Sequence, residues 1–367
     1  MPSPSCRIAH VTEAMGGGIV TVIASIARRQ AAEGANVEVH YLRRPETPDA
    51  TSLERQFPAG TRLVEYASGS RAASLLQLAL AIRGRLRRGD VDYVHAHSSI
   101  AGALARLAVP LGRRGRRVFY SPHGWAFLRL DLPVWARRGF ILVEKILARG
   151  PATVVLTSRS EYDYGIHQVS PRRSALIQTG VDPGEVTDAA PEQRTGRRLR
   201  VATIARICHQ KAPWRFAEVA RQLGTEAEFR WIGGGPDEDR ERWIGDAPVE
   251  VTGWLSPVEL RHELADVDVF LFPTLWEGMP MALMQAQAHG IPSVVSDTVG
   301  NRDAVRHGIS GYVCADDAEL IRRTRELLSD ATLRQRMSDA ARVWAHRSLT
   351  DEGVGRQTLD IYAGATA

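Results

Sequence analysis

The chain has 367 residues, of which 44% are apolar and 24% charged, proportions that exclude a disordered, collagen-like or disulfide-built protein and predict about two domains. No apolar run reaches the roughly 18 residues that span a bilayer. Residues 1–7 lack the apolar stretch of a signal peptide, and Cys6, Cys208 and Cys314 form no C-x-x-C pair, which together read as a cytoplasmic protein with no metal cluster. Net charge is +5, split into a surplus of 9 over residues 1–190 and a deficit of 4 over 191–367. Basic runs at Arg83–Arg88, Arg113–Arg117 and Arg137–Arg138 suit an anionic partner such as a membrane surface, or are simply solvated arginine faces. They carry no interleaved aromatics, which argues against nucleic acid.

Short apolar runs alternate with longer amphipathic ones, the pattern of βαβ units in an α/β protein. In the first half, strands are predicted at Arg7–Thr12, Val37–Leu42, Tyr93–Ala96, Arg117–Ser121 and Ala152–Thr157. Helices are predicted at Ile19–Glu33, Arg71–Arg88, Ser99–Val109 and Val134–Arg149. A polar, aperiodic stretch at 184–198 reads as a linker. The second series has strands at Leu199–Ala205, Glu228–Ile232, Val249–Val251, Val267–Phe272, Ser293–Ser296 and Gly311–Val313. Its helices are Trp214–Leu223, Pro257–Leu264, Pro280–His289, Ala318–Ser329 and Ala331–His346, with a last amphipathic stretch at Asp351–Tyr362. The domains are accordingly 1–184, a linker at 185–198, 199–347, and a terminal helix at 348–367. Ligands bind open α/β sheets beyond the strand C-terminal ends, so the loops after strands are where chemistry is sought.

Three such loops stand out. Gly16, Gly17 and Gly18 lie between a strand and a helix start, where bare amides and the helix dipole suit a phosphate. The same glycines also fit a plain tight turn. The dinucleotide fingerprint is not met, because Thr21 stands where its last glycine belongs and Arg43-Arg44 end the next strand. The second loop runs from Arg206 to Lys211. Only two of the 47 basic residues are lysines, Lys145 and Lys211, so a lysine in a strand-to-helix loop beside an arginine points to a diphosphate, with a pair of surface cations as the plainer reading. The third loop, after Phe270–Pro273, holds Glu277 and Gly278 and leads into a helix near Pro280. There a carboxylate can meet sugar hydroxyls while the amides of Met281 and Ala282 face a phosphate, and Gln285 follows one turn later.

With Glu277 followed by Gly290-Ile-Pro292, this third run resembles the retaining glycosyltransferases of family 4, which carry Glu-x7-Glu at this junction. Here Gln285 replaces the second acid. Gly16–Gly18, Asp92–His97, Ser121–Gly124, Thr179–Asp182, Arg206…Lys211, Gly233–Pro236 and Gly300-Asn301 fit the same family in order along the chain, although it usually has Asn at the position of Thr179. The resemblance implies the GT-B fold, two Rossmann-like doubly wound domains facing a central cleft. It implies that Arg206 and Lys211 hold a donor diphosphate, assisted by Gly17 and Gly18. Glu277 would bind donor-sugar hydroxyls, Gly278, Met279, Pro280, Met281 and Ala282 would present backbone groups, and His123 would reach the sugar. Gln285 would take the ribose position, where a neutral amide still accepts from one hydroxyl, and residues 251–255 would face the base.

The expected activity is a metal-independent, retaining transfer of a hexose-type unit from a nucleotide diphosphate sugar to an acceptor hydroxyl, with that donor as co-substrate and no other cofactor. The acceptor belongs to glycan, exopolysaccharide, glycolipid or metabolite synthesis, and a lipid-linked one would place the protein at the inner membrane face. A nucleotide-sugar epimerase of the same fold and a non-catalytic scaffold, favoured by Gln285, are the alternatives. His95-x-His97 has metal-site spacing but no third ligand in view. Ser158, Glu161 and Asp163 follow a strand and read as solvated loop polarity, with contact to an acceptor as the alternative; the tryptophans read as mostly core, with Trp125 and Trp276 placed to stack on a sugar.

Overall fold

A computed structural model describes residues 6–108, 117–185 and 197–366. The chain divides into two compact units, one of residues 1–128, 132–179 and 351–367 and one of 129–131 and 180–350. The central part of the expected linker, and Arg113–Arg116 of the second basic run, lie outside the described residues. Among the described residues no helix is long and apolar enough to cross a membrane.

The first unit is built on seven parallel strands, β1 (Arg7–Thr12), β2 (Asn36–Tyr41), β3 (Arg62–Glu65), β4 (Tyr93–His97), β5 (Val118–Ser121), β6 (Thr153–Leu156) and β7 (Ser174–Leu176), in the order β3-β2-β1-β4-β5-β6-β7. Helices α1 (Gly18–Ala32), α2 (Ala50–Glu54), α3 (Arg71–Arg88), α4 (Ser99–Ala108), α5 (Val134–Leu147) and α6 (Arg159–Val169) join them. The order reverses between β1 and β4, which makes the loops after those two strands the natural ligand position. Helix α3 shows how local chemistry sets the bounds. The Ser70 side chain accepts from the Ala73 amide at the start, and Gly89, with φ of 74°, ends it in the left-handed conformation.

The second unit repeats the plan with six parallel strands, β8 (Leu199–Ile204), β9 (Ala227–Ile232), β10 (Val249–Val251), β11 (Val269–Phe272), β12 (Ser293–Ser296) and β13 (Gly311–Cys314), ordered β10-β9-β8-β11-β12-β13. Between them run α7 (Pro213–Leu223), α8 (Asp237–Trp243), α9 (Pro257–Ala265), α10 (Met281–Ala288), α11 (Asn301–Ala304), α12 (Asp317–Ser329) and α13 (Ala331–Ser348). The reversal here lies between β8 and β11. The core gathers Val201, Phe216, Phe229, Trp231, Leu271, Val294 and Leu327.

The last helix, α14 (Val354–Thr366), belongs to the first unit and packs on α1. Asp351, at its approach, accepts from Arg29 Nε at 2.9 Å and from the Ser25 hydroxyl at 2.5 Å. A largely buried carboxylate held by a guanidinium and a hydroxyl fixes where the chain rejoins the unit.

Candidate active site

In the second unit the loops after β8 and β11 close on each other. Gln210 Nε2 donates to the Trp276 carbonyl at 2.8 Å, and the Gln210 carbonyl accepts from the Leu275 amide at 2.9 Å. Lys211 closes a short 3-10 turn, His209–Lys211, and Ala212 then adopts a left-handed φ of 47° before Pro213 opens α7. A buried non-glycine residue held there marks a turn that the surroundings impose. It leaves Lys211 Nζ donating to Glu277 Oε1 at 2.6 Å, with the Phe272 ring centroid 5.1 Å away. Glu277 is 6% exposed. The pair is therefore largely desolvated, where opposite charges interact more strongly than at a surface.

Behind Glu277 the chain is braced by the loop after β12. Gly300 has φ of 82°, and a Cβ there would stand 2.3 Å from the Gly278 carbonyl oxygen. Asn301 Nδ2 donates to Thr274 Oγ1 at 3.2 Å and to the Ser296 carbonyl at 3.1 Å. Helix α10 follows Pro280, and its Leu283 and Met284 amides turn back to the Pro280 carbonyl, both at 3.1 Å. No side chain caps the helix start, which begins with the Met281 and Ala282 amides. Met279, Met281 and Trp276 are buried, and Gln285 is half-buried one turn on. Arg206 is exposed at the head of the same loop as Lys211. The Ile207 amide donates to the Gly234 carbonyl at 2.9 Å, and a Cβ at Gly233 would meet the Ala205 carbonyl oxygen at 2.2 Å. Gly233–Gly235 thus permit the close approach of two loops. Trp254, 62% exposed, lies over Gly234.

The expected residues of the first unit occupy the ends of β1 and β5. Gly17 precedes α1 with φ of 56°, and no side chain caps that helix. A Cβ at Gly16 would meet Glu46 Cγ at 2.4 Å. His123 follows β5 with a left-handed φ of 51°. Its Nε2 lies 2.8 Å from His97 Nδ1, the rings being stacked with centroids 5.1 Å apart. Glu161 holds the turn, because its Oε1 accepts from the Gly124 amide at 2.6 Å and its Oε2 from the Thr157 amide and hydroxyl, both at 3.0 Å.

Several expectations change. Ser158 and Glu161 are not solvated loop residues; both are fully buried, and Ser158 caps α6. Asp163 is exposed and pairs with Arg159. Trp125 is fully buried against Phe127 and has no free face for a sugar, while Trp135 is 77% exposed rather than core. The pair His95 and His97 gains a third histidine, because His10 on β1 is the register partner of His95 on β4. Of the six ring nitrogens on these three, one from each lies within 4.8 Å of the other two. All six are already hydrogen-bonded to protein groups, so a cation would have to displace those bonds. Burial lowers the pKa of His10 and of His123 to about 4 and those of His95 and His97 well below the ordinary histidine value, so the cluster is neutral at neutral pH. The sequence does not single out His10, and it places Glu161 in a solvated loop. The Ser158-x-x-Glu161 spacing signals a helix start, but nothing local says that the Glu161 carboxylate turns to Gly124.

Residues 16–185 match the family described as Glycosyltransferase Family 4, and residues 198–330 match the one described as Glycosyl transferases group 1. The chain belongs to the family-4 type of glycosyltransferases with the GT-B fold. It is 24% identical, over 84% of its length and 85% of the relative's, to an uncharacterized 41.2 kDa protein in the cps region of Klebsiella pneumoniae. It is 28% identical, over 62% of its length and 63% of the relative's, to the UDP-Gal:alpha-D-GlcNAc-diphosphoundecaprenol alpha-1,3-galactosyltransferase of Escherichia coli. Among solved structures, sucrose-phosphate synthase from Thermosynechococcus elongatus superposes with a TM-score of 0.81 at 16% identity, over 98% of each chain.

Proposed function

We propose that this glycosyltransferase moves a hexose-type unit, with retention, from a nucleoside diphosphate sugar to an acceptor hydroxyl in polysaccharide or glycolipid assembly. The observation that carries this reading is the Lys211–Glu277 pair at 2.6 Å beside the uncapped start of α10. A diphosphate bound by Lys211, Arg206 and the Met281 and Ala282 amides satisfies the cations and the helix dipole. It also releases Glu277 to accept from sugar hydroxyls. Gly278, Met279 and Pro280 line the approach, and Gln285 accepts from a ribose hydroxyl. Within the first unit, His123 is the group to meet a sugar hydroxyl, and Gly16, Gly17 and Gly18 offer bare amides suited to a phosphate. The donor class is supported by the Escherichia coli relative, which by its name takes UDP-galactose.

In this reading protein cations stabilise the leaving diphosphate, so neither a divalent ion nor a further cofactor is required. The bond from sugar C1 to the phosphate oxygen breaks, and the acceptor oxygen bonds to C1 on the same face. The acceptor proton passes to the departing phosphate oxygen. A nucleoside diphosphate should raise the melting temperature, and transfer should persist in excess chelator. Conversion of one nucleotide sugar into another with no acceptor present would make the protein an epimerase instead. Binding without turnover across a donor and acceptor panel would make it a scaffold.

An anionic, lipid-bearing membrane as the location of the acceptor is supported by α5. On this one helix Val134, Trp135, Leu142, Val143 and Ile146 are 47–77% exposed, with Arg138 and Lys145 exposed beside them. An exposed apolar helix face with a tryptophan and flanking cations suits the bilayer interface. Sedimentation with vesicles containing anionic lipid should fall with salt and with Trp135→Ser; binding indifferent to both overturns this location.

A further inference from the structure

The histidine cluster has a direction that its hydrogen bonds determine. His10 and His95 are register partners on adjacent strands, and His97 follows two residues on, on the same face. From α14, Thr358 Oγ1 lies 2.8 Å from the Val354 carbonyl and 2.7 Å from the Gly355 carbonyl, so its one hydrogen is committed to these acceptors. Thr358 can then only accept from Gln30, whose facing atom, 3.2 Å away, must be the amide nitrogen. The second hydrogen of that nitrogen reaches Tyr362 Oη at 3.3 Å. Gln30 Oε1 therefore faces His10 Nε2 at 2.8 Å and requires a proton there.

A neutral His10 protonated at Nε2 presents Nδ1 as an acceptor, and His97 Nε2 stands 2.9 Å from it. His97 must then carry its proton on Nε2, leaving its Nδ1 to accept from His123 Nε2 at 2.8 Å. Every link passes the same requirement on. His95 lies on a side branch, between Tyr362 Oη at 2.7 Å and Ser121 Oγ at 2.9 Å. Among the described residues His123 Nδ1 has no hydrogen-bond partner.

We propose that Thr358, Gln30, His10 and His97 form a one-way hydrogen-bond chain that locks His123 in the Nε2–H tautomer, so that it meets substrate through Nδ1 as an acceptor of a hydroxyl hydrogen. The four are positioning residues, and this rests on the reading that His123 contacts a sugar hydroxyl. Burial supports it by keeping the rings neutral, because an imidazolium in the chain would have no acceptor nitrogen to continue it. The left-handed φ of 51° at His123 is the kind of backbone outlier that persists where surrounding bonds determine it. The device gives specificity: a donor whose corresponding hydroxyl is replaced by fluorine, which cannot donate, should bind poorly.

The test reads tautomers directly, in the full chain and without donor. Long-range proton–nitrogen NMR on histidine-labelled protein should show Nε2 protonated and Nδ1 bare in His10, His97 and His123 alike. A proton on Nδ1 of any of the three, or spectra changed by a chelator as for a bound cation, overturns the chain. Thr358→Val should free the Gln30 amide to flip, mix the His123 tautomers and lower kcat/KM for donor about tenfold, while Thr358→Ser restores both. A uniform tautomer together with unchanged donor turnover in His123→Phe would retain the chain and refute the sugar contact. Should Thr358→Val fail to fold, the wild-type spectrum and the serine variant still decide the matter.

Discussion

Lys211 Nζ and Glu277 Oε1, 66 residues apart in sequence, meet at 2.6 Å in a largely desolvated position. Removing either partner leaves the other charge buried, yet the two losses differ in sign toward an anionic ligand. Lys211→Ala leaves the bare Glu277 carboxylate beside the proposed phosphate position. Its affinity for a nucleoside diphosphate should fall by at least thirtyfold, on the order of 2–5 kcal/mol. Glu277→Ala frees Lys211, so nucleoside diphosphate affinity should be kept while sugar transfer is lost. Calorimetric titration set against turnover separates the two, and an equal loss of both in Glu277→Ala would show its role to be misassigned.

Gly300 permits the loop of Glu277 and Gly278 to sit where it does. Gly300→Ala would set a methyl 2.3 Å from the Gly278 oxygen at a left-handed φ. The loop must shift, and donor binding should weaken tenfold or more. Thermal unfolding should drop by a few degrees, consistent with a strained backbone costing on the order of 1–3 kcal/mol. Wild-type affinity in this variant would mean that the brace is not needed.

Glu161 ties the His123 turn to Thr157. With Glu161→Ala the Gly124 and Thr157 amides lose their acceptor in a buried place, a loss of about 2–3 kcal/mol. Chemical denaturation should show that loss, and kcat should fall with it because His123 no longer holds its left-handed turn. Glu161→Gln keeps one acceptor oxygen and should recover part of each.

The neutral histidine cluster makes stability depend on acid. His10 has a pKa of about 4 in the folded chain against 6.5 as its ordinary value. Between those values the unfolded chain binds protons that the folded one refuses. Stability contributed by the neutral ring is therefore complete above about pH 6.5 and is lost as the pH falls toward 4. The limiting slope is about 1.4 kcal/mol per pH unit from His10 alone. His95, His97 and His123 act in the same direction. Denaturation midpoints measured across this window should decline on acidification. Flat midpoints between pH 7 and 5 would contradict the burial of these rings.

Much of this architecture is legible in the chain itself. Helix α3 runs from Arg71 to Arg88 as its periodicity and the Gly89 stop require. Strands β10 and β12 have their predicted bounds. Two of the elements left unread carry weak apolar patterns: β3 is a half-exposed edge strand, and α8 buries none of its seven residues. In the site, Lys211 is legible because lysine is so rare here, and Glu277 because a carboxylate precedes a proline-started helix.

The order of apolar runs and turn residues determined two doubly wound parallel sheets, and with them which loops end at strand C-termini. That information is local, since periods of two and of 3.6 residues are written into neighbouring positions. Only the tertiary structure decided that Lys211 donates to Glu277, that Glu161 holds Gly124, and that His10, His97 and His123 form one file. Those partners lie 26 to 87 residues apart. Their pairing depends on strand order and register, which place side chains from distant segments within the 3 Å over which hydrogen bonds act.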